Sequence, residues 1–192
     1  MNDLEGIIYK VMPYGETSKL LFTYTKEGKI TLHARGSQKL NSSLLIISQY
    51  LTKINFKPTK NKTFYNLSEP KLLNEYQDIK SDYNLTKDVS IMLELINRCE
   101  IDDIYHTKVY NLLNQALDTK LLVEAVLSFS VKLLYFLGIG PNLDADGRNV
   151  LGFNISQGSI VYEGEDHFLD LNLNETIILL KLAFNKINAL EP

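Results

Sequence analysis

The hydrophobic period of this chain changes near residue 81, and that change divides it into a strand-rich first part and a helical second part. Before the change, short runs rich in β-branched and aromatic residues lie between Gly, Pro and Asn. Residues 4–12 (LEGIIYKVM) form the first expected strand, closed by the turn Pro13-Tyr14-Gly15-Glu16. Residues 18–25 and 30–35 flank Lys26-Glu27-Gly28-Lys29 and read as a hairpin. Residues 44–57 continue as a strand-like run with Tyr50, Thr52, Ile54 and Phe56 two apart, and residues 63–67 supply a further short strand. About five short strands with Gly and Asn in the turns fit a small barrel. The five-stranded OB barrel is the usual nucleic-acid-binding kind, and an SH3-like barrel would look much the same.

After residue 81 the apolar residues fall at helical spacing. Residues 82–99 carry Leu85, Val89, Met92, Leu93, Leu95 and Ile96 near one face, with Ser81 or Thr86 as caps. Residues 103–117 repeat the pattern behind Asp102-Asp103, which suits the positive end of a helix dipole. Residues 121–137 are almost wholly apolar and end at Gly138-Ile139-Gly140-Pro141, as a buried helix would. A last helix over residues 174–190 is capped by Asn172 or Asn174. Between these two, residues 142–170 are punctuated by Gly147, Gly152, Gly158 and Gly164 and read as irregular structure with one small hairpin. The expected fold is α+β: an OB-like barrel over residues 1–80, then a helical bundle over residues 81–192 with an insert at about 142–170.

Charge divides the chain at the same place. Residues 1–80 hold 12 Lys+Arg against 7 Asp+Glu, net +5, and residues 81–192 hold 8 against 16, net −8. A basic β-rich half suits a polyanion, and an acidic helical half suits a scaffold or a protein partner. The apolar runs are too short for a membrane span, and the N-terminus lacks the basic and apolar regions of a signal peptide, so a cytoplasmic protein is expected. The single cysteine, Cys99, reads as a structural thiol.

Catalytic constellations are missing from the pattern. His33, His106 and His167 are far apart and outside any metal-ligand spacing, and neither phosphate-binding glycine motif occurs. The acidic turn Glu163-Gly164-Glu165-Asp166 reads as solvated charge. A non-enzyme without cofactor is therefore expected. What remains is basic residues interleaved with Tyr24, Tyr50, Phe56, Phe64 and Tyr65, the combination with which barrels hold single strands. Phe56 and Tyr50 are expected to face the core. Arg35, Lys39, Lys57, Lys60 and Lys62 are the expected phosphate contacts, with residues 36–43 a polar loop able to touch a ligand.

Several of these residues also carry a family resemblance. Glu5-Gly6-Ile7-Ile8, then Tyr14-Gly15-Glu16-Thr17-Ser18-Lys19, Thr25-Lys26-Glu27-Gly28-Lys29, Ala34-Arg35-Gly36-Ser37-Gln38-Lys39 with Ser42, and Gly138-Ile139-Gly140-Pro141-Asn142-Leu143 resemble, in order and spacing, the bacterial DNA repair family RecO. The resemblance implies an N-terminal OB fold, a helical C-terminal domain, binding of single- and double-stranded DNA, strand annealing, and work with RecR and the single-strand-binding protein in loading RecA. It adds Lys19 and Lys26 to the candidate contacts, and it matches Arg35 and Lys39 to the family's basic edge and loop. Many members carry a four-cysteine zinc module after G-x-x-P-x-L. Here Asp146, Asn149 and Val161 stand at three of those places, so no zinc is expected. Two other readings fit the same pattern: an adaptor that joins proteins, with incidental DNA contact, and an RNA-binding factor with an OB-like barrel.

Overall fold

The structure is a computed structural model and describes residues 3–60 and 63–189. The chain divides into two compact units, Met1–Leu112 and Leu113–Pro192. The first opens with β1 (Leu4–Tyr14), β2 (Ser18–Thr25) and β3 (Gly28–Ala34), continues through a single helical turn α1 (Leu44–Ile47), and completes its strands with β4 (Lys53–Lys60) and β5 (Tyr65–Asn74). These close into a barrel of order β1-β2-β3-β5-β4, with β3 parallel to β5 and the other pairs antiparallel. This is the expected five-stranded OB-like barrel.

Closure depends on β1 pairing with two neighbours. Its first residues pair with β4, and from Gly6 onward it pairs with β2. A register shift between Ile8 and Lys10 leaves Tyr9 as an extra residue, and such a bulge bends a strand enough to turn a barrel corner. Gly6 is needed at that crossing, because a Cβ there would lie 2.5 Å from Thr23 Cγ2 and 3.0 Å from the Tyr24 carbonyl. The core inside the barrel is Ile8, Leu21, Leu32, Ala34, Ile54 and Phe56, all fully buried. Alternation then sends Leu20 and His33 to the outer face.

Two of the expected strands are corrected. Residues 44–57 do not form one strand: α1 occupies their start, Leu51 turns the chain at φ 51°, and only then does β4 begin. The turn is held because the Leu51 amide donates to the Ile8 carbonyl and the Ile8 amide to the Thr52 carbonyl, each at 2.9 Å. Barrel closure thereby overrides the local alternation. β5 is longer than the expected 63–67, because a bulge at Glu69-Pro70 opposite Phe56 lets a proline sit within the strand.

The first unit also contains α2 (Gln77–Lys80), α3 (Tyr83–Arg98) and the start of α4 (His106–Leu117). The cap of α3 is Asp82, one residue after the expected Ser81, and its carboxylate accepts from the Asn84 and Leu85 amides. In the second unit lie α5 (Leu122–Phe136), β6 (Val150–Asn154), β7 (Ser159–Tyr162), β8 (Leu171–Asn172) and α6 (Leu173–Phe184). Gly138 ends α5 at φ 75° with the Ile139 amide donating back to Leu134, a Schellman closure. Asn172 and Glu175 form a reciprocal capping box on α6. The expected helix over 174–190 stops at Phe184, and a 3-10 turn follows at Ile187–Ala189. The insert is a three-stranded sheet, β7-β6-β8, where one hairpin was expected. Its third strand was hidden because β8 is two residues long and exists only by pairing with Gly152 and Phe153.

Candidate nucleic-acid interface

The polar loop after β3 is stitched to the β1–β2 turn. The Gln38 amide nitrogen donates to the Thr17 carbonyl at 2.9 Å, Gln38 Nε2 to the Ser18 carbonyl at 2.6 Å, and the Gly36 amide to Ser18 Oγ at 3.2 Å. Further turns close with the Lys39 amide on Gly36 and the Ser42 amide on Lys39. Ser37 is wholly buried while Arg35 and Lys39 stay exposed. A sequence rich in Gly, Ser and Asn thus builds an ordered shelf that holds two cations beside the Gly15 turn.

The candidate cations differ in what their charges already do. Arg35, Lys39, Lys60 and Lys26 are exposed and make no ion pair among the described residues. Lys57 is held by Glu69 at 2.5 Å and lies 4.0 Å from Asp3, and the bond to Glu69 raises its pKa. Lys19 donates to the Ser48 carbonyl at 3.2 Å and ties β2 to the end of α1. Lys62 lies outside the described residues.

Position separates them further. Lys19 pairs with Ala34, directly before Arg35, and Lys60 pairs with Tyr65, which pairs with Leu32. These cations share one region of the barrel. Lys26 follows the far end of β2, seven residues from Lys19, or roughly 23 Å away at strand rise. Next to Lys26 the hairpin is fastened to helices. Lys29 donates to the Cys99 and Asn97 carbonyls at 2.8 and 3.3 Å, and Thr107 Oγ1 to the Lys26 carbonyl at 3.2 Å. Lys53 pairs with Glu5 at 3.1 Å, and Tyr110 also donates to Glu5. Burial raises the Glu5 pKa, but the bonds from Lys53 and Tyr110 outweigh it and leave the carboxyl below its ordinary value.

Most of the aromatics turn out to be structural. Tyr24 is fully buried with its hydroxyl 3.1 Å from His106 Nδ1, and burial pushes its pKa up. Phe56 lies in the barrel core, and Tyr65 packs against it. Tyr50 is not on a strand; it is half-buried in the bend before β4. Phe64 behaves differently, since its ring meets Tyr14 edge-on at 5.8 Å, and Tyr14 meets His33 edge-on at 5.2 Å. Neither Tyr14 nor His33 stood out as a contact in the sequence. The parity of β3 could have found His33, because Leu32 and Ala34 on either side of it point inward. Glu16 is exposed in the β1–β2 turn and reduces the local positive charge.

Comparison with known proteins bears on this barrel directly. The family described as "Recombination protein O N terminal" matches residues 1–76. A DNA repair protein RecO of Bacillus mycoides (strain KBAB4) is 30% identical over 170 residues, covering 82% of this chain and 68% of that protein. The chain belongs to the RecO family. A second RecO, from Halalkalibacterium halodurans, is 28% identical over 148 residues, of which this chain spans 57% of the length, and a third, from Bacillus cereus (strain B4264), is 29% identical over 170 residues. Among the described residues, no helix is long and apolar enough to cross a membrane.

The zinc module implied by the RecO resemblance does not fit the residues present. Val161 is 1% exposed and offers no donor atom, Asn149 Nδ2 donates to Glu163 at 2.8 Å, and Asp146 is held by Arg148. A guanidinium organises this end of the RecO insert. Arg148 Nη2 lies 2.8 Å from Asp146 and Nη1 2.7 Å from Glu165, while its Cζ sits 3.9 Å from the Tyr162 ring centroid. The Arg148 bonds hold Asp146 below the usual carboxylate range; the Tyr162 amide, with Arg148, does the same for Glu165. Depressed carboxyl values mean that this clasp is complete above the ordinary carboxylate pKa of about 4 and loosens as pH falls below it. The protection of the Val161 and Tyr162 amides, measured as their exchange relative to an unstructured chain at the same pH, is therefore expected to fall on acidification from pH 7 to about 3. Arg148→Gln is expected to show that lower protection already at pH 7.

Proposed function

We propose that this RecO-family chain is a DNA-binding recombination mediator without catalytic activity of its own. Its barrel would hold single- and double-stranded DNA through phosphates, promote annealing, and assist RecA loading together with RecR and the single-strand-binding protein. The observation that carries this reading is the shelf bearing Arg35 and Lys39, beside Lys60, three exposed cations without ion pairs among the described residues. Cations already neutralised inside a fold gain little from a phosphate, whereas free ones release the counterions condensed on DNA. Such contacts position a strand without identifying its bases, so weak sequence preference is expected.

Fluorescence anisotropy with a labelled single strand and the matching duplex tests this directly. Raising salt from about 50 to about 200 mM should weaken both complexes by about a decade or more. Affinity that does not respond to salt would remove the electrostatic reading. Preference for RNA of the same sequence would favour the RNA-binding alternative.

A further inference from the structure

We propose that Tyr14, with Phe64 and His33 behind it, is a stacking platform for the unpaired bases of single-stranded DNA, an inference that rests on the DNA-binding reading above. The three rings come from the end of β1, the segment entering β5 and the outer face of β3, and they converge through edge contacts at 5.2 and 5.8 Å. A ring serving only as packing would be covered, yet Tyr14 is 46% exposed and Met12, two residues before it on β1, is 43% exposed. Two edge contacts at near-perpendicular planes fix the ring's orientation while leaving this surface open. Little side-chain freedom is then lost when a flat partner docks on it.

The surrounding charge selects the partner. Tyr14 pairs with Ser18, which precedes Lys19, and Lys19 pairs with Ala34 before Arg35. Lys60 ends β4 opposite Tyr65, which follows Phe64. An exposed aromatic surface at the end of the barrel that also carries the exposed Arg35 and Lys60 suits a ligand that is flat, apolar on its faces and anionic along its backbone. Single-stranded DNA has all three properties. Duplex DNA presents the same phosphates with its base faces already stacked, so it can use the cations and not the rings.

That difference supplies the test. Tyr14→Ala with Phe64→Ala is expected to weaken single-strand binding by about tenfold or more in anisotropy titrations, while duplex affinity and the salt slope stay as in the parent protein. Tyr14→Phe with Phe64→Tyr should restore single-strand affinity, and a 2-aminopurine base in the strand should be quenched by the parent protein and not by the alanine variant. If the alanine variant no longer melts cooperatively, Tyr14→Leu with Phe64→Leu, which keeps apolar bulk and removes the rings, carries the same comparison. Unchanged single-strand affinity, or an equal drop for single strand and duplex, overturns the platform while leaving the DNA-binding function standing. If the parent protein binds neither DNA, both proposals fall.

Discussion

Arg35→Glu, Lys39→Glu and Lys60→Glu together are expected to lower single-strand and duplex affinity by at least about a hundredfold at about 100 mM salt. Each replacement removes a cation and adds a repelling charge, so the salt slope should also fall by about one for every phosphate the barrel no longer neutralises. All three residues are exposed and make no ion pair among the described residues, so the barrel itself should be unaffected. Two further lysines serve as controls. Lys57→Ala should change affinity little, because that ammonium already answers Glu69 and Asp3. Lys26→Ala tests the far end of the hairpin, a strand's length from the others. Should the triple variant retain parental affinity with a cooperative melt, the DNA site lies elsewhere on the chain.

Phe56→Ala is expected to destabilise the barrel by about 3–5 kcal/mol. Its side chain is fully buried against Ile8, Leu21, Leu32 and Ile54, and β4 is pinned between β1 and β5, so the walls cannot collapse into the space left behind. That is a large share of the roughly 5–15 kcal/mol that stabilises an ordinary domain. The measurement is urea unfolding followed by exchange of the β2 and β3 amides, which report the barrel apart from the second unit. A destabilisation below about 1 kcal/mol would mean that Phe56 lies outside a close-packed core. DNA affinity of the fraction that remains folded should be unchanged, since Phe56 faces inward.

Much of the architecture could be read in advance because it is written in local signals. Residues 18–25 form a strand with the expected bounds, since apolar alternation and a Gly-containing turn agree there. Asn172 caps α6 and Gly138 ends α5 because capping is decided within one turn of helix. Where the reading failed, distant pairing had overruled local preference. Residues 44–57 alternate like a strand, but Leu51 must turn to reach Ile8, and Pro70 enters β5 only by way of a bulge against β4.

The candidate site divides in the same way. Residue order alone determined that the first 80 residues are basic, that aromatics lie among the cations, and that the histidines and glycines fall in no metal-ligand or phosphate-binding spacing. Only the tertiary structure decided which of those groups are free to act. Lys29, Lys53 and Lys57 look like Arg35 and Lys39 in the sequence, yet the first caps a helix and the other two answer carboxylates. Tyr24 and Tyr14 likewise look interchangeable, but one is enclosed beside His106 and the other stands half open beside His33. The physical reason is that charge and aromaticity belong to the residue, whereas neutralisation and exposure depend on neighbours brought close by the fold. Barrel closure sets Phe64 against Tyr14, fifty positions away in the sequence.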